Sequence, residues 1–233
     1  MSTPPASKPA PAGPLDRLRQ AAADWVPIRP LATRHRRRIA AHLLGLGERD
    51  RYLRFGYAAK DAQIERYVAG LDFDRDEVLG IFNRRLELVA MAHLAYDPAP
   101  QLPDKPAMAE FGVSVSASMR GRGIGRRLFD RAALHARNRG IETLFIHALS
   151  ENAPMLKIAR NAGAKVERAG SESEAWLRLV PDTMSSHVDE ALERHLAEVD
   201  FQFKRHLREL RRVRGHLRAL KTRLFGSGKA AKT

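Results

Sequence analysis

The chain has 233 residues, 44% of them hydrophobic, which suits one packed domain of ordinary size with room for an extension. It has no cysteine, which excludes disulfides and thiolate metal sites, and its nine histidines form no His-x-x-x-His pair or other compact ligand set. The formal charge of +14 is uneven: residues 1–30 carry +2, residues 31–180 carry +7, residues 181–200 carry −5 and residues 201–233 carry +10.

Residues 1–24 are rich in Pro, Ala and Ser and bury too little apolar area to offset ordering entropy, so they are expected to form a disordered lead. The opening "MSTPPASKPAPAGP" lacks the apolar stretch of a secretory signal. No apolar run approaches the ~20 residues needed to cross a bilayer. The expectation is therefore a cytoplasmic chain with no transmembrane segment.

A folded domain is expected over 25–181. "WVPIRPLA" reads as a short strand whose prolines place it at a sheet edge or near its start. "RHRRRIAAHLLGLG" carries a helical stripe through Ile39, Leu43 and Leu44. "DRYLRFG" and "DAQIERYVAGL" read as a second helical region with a break near Gly56. Two strands follow, Val78–Phe82 and Leu86–Tyr96, joined as a hairpin by the polar "NRR". "PAPQLPDKP" is a loop by composition, and "AEFGVSVS" is the next strand. A helix through Leu128, Ala132 and His135 or Ala136 ends at Gly140. "TLFIHAL" is a strand. "NAPMLKIARNAG" is a short helix with Asn152 as N-cap, Pro154 in its first turn and Gly163 at its end. "AKVERAG" and "SEAWLRLV" close the domain as a hairpin. The predicted order is β-α-α-β-β-β-α-β-α-β-β, a mixed α/β fold.

Beyond residue 181 an amphipathic helical extension is expected over 182–225, then a flexible basic tail over 226–233. Apolar residues step by four and three through Leu192, Leu196, Val199, Phe203, His206, Leu210, Val213, Leu217, Leu220 and Leu224. That is a coiled-coil-like heptad seam with one polar member, His206. Its acidic start and basic end favour an antiparallel homodimer through 192–224. The dense basic charge also suits nucleic acid or an anionic surface.

The chemistry concentrates in "VSVSASMRGRGIGRRL", where Gly121, Gly123 and Gly125 sit between a strand and a helix. A Rossmann fingerprint needs a third glycine at 126, where Arg126 stands. A phosphate-binding P-loop needs Gly-Lys-Ser/Thr at its end, and "GRRL" lacks it. A pyrophosphate-binding turn fits: glycines admit a close approach to backbone N–H groups, the helix N-terminus offers unpaired donors, and Arg120, Arg122 and Arg126 add charge. The alternative is a glycine-rich turn with solvated arginines.

"AEFGVSVSASMRGRGIGRRL" resembles the acetyl-CoA-binding motif of the GNAT superfamily, the Gcn5-related N-acetyltransferases. "LFIHALSENAPMLKIARNAGA" looks like that family's next strand and helix. "IRPLA…RDRYLRFG" is similar to the start of a subset that includes bacterial protein-lysine acetyltransferases. The resemblance covers about residues 25–181. It implies transfer of an acetyl group from acetyl-CoA to a primary amine, of a protein lysine or a small molecule, by direct attack and with no metal. It implies that the Val113–Ser114–Val115 strand pairs with pantetheine and supplies an oxyanion donor. The turn Arg120, Gly121, Arg122, Gly123, Ile124, Gly125 and Arg126 would hold the pyrophosphate, and Asn152 would contact the CoA arm or simply cap its helix. Glu110 is the candidate base, with His147 second; each is otherwise an ordinary surface or half-buried strand residue. The family's usual Tyr, which protonates the leaving thiolate, is replaced by Ala159, and the usual aromatic after the glycine by Ala164. A catalytically weak CoA-binding regulator or scaffold, working through the basic helical tail, is the alternative function.

Overall fold

A computed structural model describes residues 27–97 and 107–180. The N-terminal lead, residues 98–106 of the loop and the whole extension from 181 lie outside the described residues, and with them the heptad seam. The described chain runs β1 (Arg29–Pro30), α1 (Arg36–Leu44), α2 (Glu48–Phe55), α3 (Asp61–Ala69), β2 (Glu77–Phe82), β3 (Leu88–Tyr96), β4 (Met108–Val115), α4 (Ile124–Asn138), β5 (Thr143–Leu149), α5 (Ala153–Asn161), β6 (Lys165–Ala169) and β7 (Glu172–Arg178). The expected second helical region is thus two helices. Gly56 adopts φ 79° and ends α2, a left-handed cap that a Cβ would strain, and α3 starts afresh five residues later. The first strand is only two residues long. The hairpin strand expected from Leu86 begins at Leu88, because Leu86 lies in the turn with φ 60°.

The seven strands form one sheet in the order β1-β2-β3-β4-β5-β7-β6, with β1 at an edge as its prolines require. Every neighbouring pair is antiparallel except β4 and β5. The interior strand β3, "LVAMAHLAY", is apolar on both faces apart from His93, because helices cover both. On one face α4 and α5 pack Ile124, Leu128, Phe129 and Leu156 against Leu94, Phe111, Leu144 and Ile146. On the other, α1 and α3 pack Ile39, Leu43, Ile64 and Val68 against Val78, Phe82 and Met91. Each helix contributes apolar residues four apart, which puts them on one side.

Alternation along β4 then assigns its side chains. Ala109 and Phe111 are buried in the α4/α5 core, with Val113 and Val115 packed against it. Glu110, Gly112 and Ser114 therefore face the α1–α3 layer.

Candidate active site

β4 pairs with β3 along its whole length, from Tyr96↔Ala109 to Ala90↔Val115. With β5 it pairs only at Met108↔Thr143, Ala109↔Leu144 and Glu110↔Phe145. Beyond Glu110 the two strands part, although β5 continues to Leu149 against β7. The β5-facing backbone groups of residues 111–115 are left without a strand partner. An open strand edge inside a sheet is a slot for an extended ligand bearing amides.

The glycine turn closes one end of this slot. Gly121 and Gly123 have φ 73° and 69°, and a Cβ built on either meets nothing within 4 Å. Glycine is needed there for its backbone conformation, while the space above it stays free. Gly123 is the N-cap of α4 and no side chain caps the helix, so the N–H groups of its first turn remain open. At Gly125 a Cβ would stand 3.4 Å from Ile158 Cδ1, which makes this glycine a packing residue between α4 and α5. Ile124 is buried beneath the turn. These are the features a pyrophosphate needs.

The three arginines of the turn are not equivalent. Arg120 is ion-paired with Asp50 of α2 and donates from Nε to Val115 O at 3.3 Å. Arg126 donates from Nε to both carboxylate oxygens of Asp130, at 2.8 and 2.9 Å. Arg122 is exposed and has no ion-pair partner among the described residues. Asn152 is a working N-cap: its side chain accepts from Met155 N at 3.3 Å and donates to Leu53 O of α2 at 3.4 Å. His147 Nε2 lies 3.4 Å from Glu172 Oε2. Ala159 is fully buried in the core, so α5 delivers no hydroxyl to the slot from that position.

A polar cluster absent from the sequence reading lies on the α1–α3 side, where α2 packs against both β4 and β5. The Arg54 guanidinium rests on Gly112 so closely that a Cβ there would be 2.8 Å from its Cζ. Arg54 Nη2 donates to Tyr67 Oη at 2.8 Å. Tyr67 Oη is 2.8 Å from His93 Nδ1, and His93 Nε2 is 3.0 Å from Asp76 Oδ2. Arginine only donates and a carboxylate only accepts, so the chain has one direction. Arg54 gives to Tyr67, Tyr67 gives to His93 Nδ1, and His93 Nε2–H gives to Asp76. Burial lowers the His93 pKa, against the pull of Asp76, and keeps the ring neutral as this order requires. Burial would raise the Asp76 carboxyl, but bonds from Arg75, His93 and Tyr96 N–H outweigh it and hold it below the usual range. Burial also raises the Tyr67 phenol, opposed by Arg54 and reinforced by Glu110 and Asp76.

Glu110 is exposed, next to Gly112 on this face, and makes no hydrogen bond or ion pair within the described residues. Ser114, expected to act through its backbone, also uses its side chain. His42 of α1 is bonded through Nε2 to Ser114 Oγ at 2.9 Å and through Nδ1 to Ser116 Oγ at 3.3 Å. Burial pushes the His42 pKa down to about 4, so the ring is a neutral clamp on the end of β4.

A family model described as "Acetyltransferase (GNAT) family" matches residues 35–164. Among solved structures, the GNAT domain of S. lividans PAT is 22% identical, covers 65% of this chain and 89% of its own, and superposes with a TM-score of 0.55. An N-acetyltransferase from Staphylococcus aureus Mu50 is 15% identical over 66% of this chain and 98% of its own, with a TM-score of 0.50. Spermidine N-acetyltransferase from Vibrio cholerae, in complex with CoA and spermine, is 14% identical over 65% and 94%, also at 0.50. At these identities the likeness is one of fold. No curated protein sequence matches significantly.

Proposed function

Since the chain belongs to the acetyltransferase (GNAT) family, with acetyl-CoA as its co-substrate, we propose that it acetylates a primary amine, of a protein lysine or a small molecule, by direct attack, with Glu110 as the base. The observation that carries this reading is the parting of β4 from β5 beside an uncapped, glycine-led helix. The free edge of Phe111–Val115 suits the amides of pantetheine, and the N–H groups at the start of α4 suit the pyrophosphate, with Arg122, unpaired among the described residues, able to reach it. Arg120 and Arg126 shape the turn through Asp50 and Asp130.

In the reaction the amine lone pair adds to the thioester carbonyl carbon, the C–S bond breaks, and the CoA thiolate leaves. Glu110 stands on the acceptor side of β4, exposed and uncommitted, where it takes the ammonium proton directly or through water. A backbone N–H of the free β4 edge supports the developing oxyanion. With Ala159 sealed in the core, water is left to protonate the thiolate.

The test is titration of acetyl-CoA into wild type and Glu110→Gln, with CoA-thiol release measured on a panel of amines and lysine peptides. Equal binding with turnover reduced roughly 100-fold or more in Glu110→Gln is expected. A folded wild type that does not bind acetyl-CoA refutes the reading.

A further inference from the structure

Arg54 and Glu110 are opposite charges at adjacent positions on one face of β4, and they do not pair. Glu110 projects from the strand itself, while Arg54 is brought to Gly112, two residues on, by α2. The strand repeat separates these positions by about 7 Å. Two such side chains at a surface usually close into an ion pair. Here Arg54 is held back by Tyr67, whose hydroxyl is fixed by His93 and Asp76. The guanidinium also stacks over the rings of Phe55 and Tyr67, at 5.2 and 5.4 Å. Its Nε is buried without an acceptor, and it has no carboxylate partner among the described residues. A half-buried cation kept from its neighbouring carboxylate is a cation reserved for another anion.

Resting on the function proposed above, we propose that the acceptor is a small amine carrying a carboxylate beside its amino group, as in an α-amino acid. The ammonium meets Glu110 and the carboxylate meets Arg54. An acceptor with both groups on one carbon can make a charge-assisted hydrogen bond of about 2.8 Å to each of them. In this arrangement Arg54 is a specificity residue, and Tyr67, His93 and Asp76 position it. The charge of the domain agrees: residues 31–180 carry +7, which attracts an acceptor bearing an anion and disfavours a polycation. A protein lysine has no carboxylate next to its amine and leaves Arg54 without a partner.

The experiment uses the full chain, saturating acetyl-CoA and CoA-thiol release. The acceptors are free L-amino acids, the matching amino-acid amides, the matching decarboxylated amines and a capped lysine peptide. Acids are expected to exceed their amides in kcat/KM by about 10- to 100-fold, the worth of a bond to a charged group. Arg54→Met should abolish that preference and Arg54→Lys restore part of it. Tyr67→Phe should raise KM for the acids several-fold more than for the amides. Amides or lysine peptides that match the acids in wild type overturn the inference while leaving acetyl transfer intact. So does an Arg54→Met variant that slows every acceptor equally, which would place the guanidinium on the thioester. If that variant does not fold, the wild-type comparison of acid with amide decides. Bound acetyl-CoA with no turnover on any amine refutes the function itself.

Discussion

Substituting Gly112 by alanine tests how tightly Arg54 is held. The new Cβ would lie 2.8 Å from Arg54 Cζ and Nη2 and 2.9 Å from Nη1. Ordinary contacts lie near 3.5–4.0 Å, so the guanidinium must retreat by about 0.7 Å or more. A retreat along the bond to Tyr67, now 2.8 Å, stretches it to about 3.5 Å, beyond useful range. Losing a hydrogen bond to a charged group costs roughly 1.5–3 kcal/mol. Replacing glycine in a strand returns about 0.5–1 kcal/mol. The net loss is about 1–2 kcal/mol, a fall in Tm of roughly 2–8 °C. In an Arg54→Ala background the obstacle is gone and only the glycine gain remains, so the same substitution becomes neutral or stabilising. Urea denaturation of the four proteins should give a coupling of about 2 kcal/mol between the two sites. Equal costs of Gly112→Ala in both backgrounds would refute the idea that a fixed Arg54 is what keeps residue 112 bare.

The pH dependence of stability has a definite sign. His42 is held at about 4 against an ordinary 6.5, so its contribution is present above pH 6.5 and lost as pH falls towards 4. That difference corresponds to roughly 3 kcal/mol. His93, also lowered, adds in the same direction. Tm measured from pH 7.5 to 4.5 should fall steeply in wild type, and His42→Asn should flatten much of the slope; an unchanged slope would assign it to other groups. At the turn, Gly123→Ala and Gly123→Glu share the strain of a left-handed Cβ, about 1–2 kcal/mol, but only the glutamate repels a phosphate. Calorimetric titration should find acetyl-CoA affinity largely kept in the first and lost in the second, and equal affinities would place the pyrophosphate elsewhere. Arg122→Gln should weaken acetyl-CoA binding several-fold and reduce its salt dependence, more than Arg126→Gln, whose arginine is committed to Asp130. For the seam at 192–224, light scattering of the full chain should report a dimer that Phe203→Asp breaks; a wild-type monomer would remove the antiparallel pairing.

The fold was largely readable because its elements carry local signals. Four-residue apolar spacing marked Ile39/Leu43, and glycines marked the ends at Gly140 and Gly163. Asn152 and Pro154 announced α5. The break at Gly56 was marked by its glycine, and one boundary slipped where backbone conformation overrode pattern, at Leu86. The candidate cofactor side could be proposed for the same reason: it is one continuous stretch from 113 to 126. The acceptor side could not. Arg54, Tyr67, Asp76 and His93 come from α2, α3, the approach to β2 and β3, and no spacing along the chain links them. Charge counting also misjudged the turn. Asp130 stands four residues after Arg126, a spacing that pairs across one helical turn, whereas Asp50 reaches Arg120 only through the tertiary fold.

The short contact between β4 and β5 has a mechanical side. Three residue pairs join a four-stranded half-sheet to a three-stranded one, and the rest of the seam is open. Acetyl-CoA laid along β4 would act as a temporary eighth strand, stitching the halves through its amides while its phosphates pin α4. A ligand that binds only the folded chain at a hundred times its Kd adds about 2.7 kcal/mol, a large share of what holds a domain together. Bound in that way, the metabolite would also be a structural part of the protein, and the chain without it would be the looser and more protease-sensitive form.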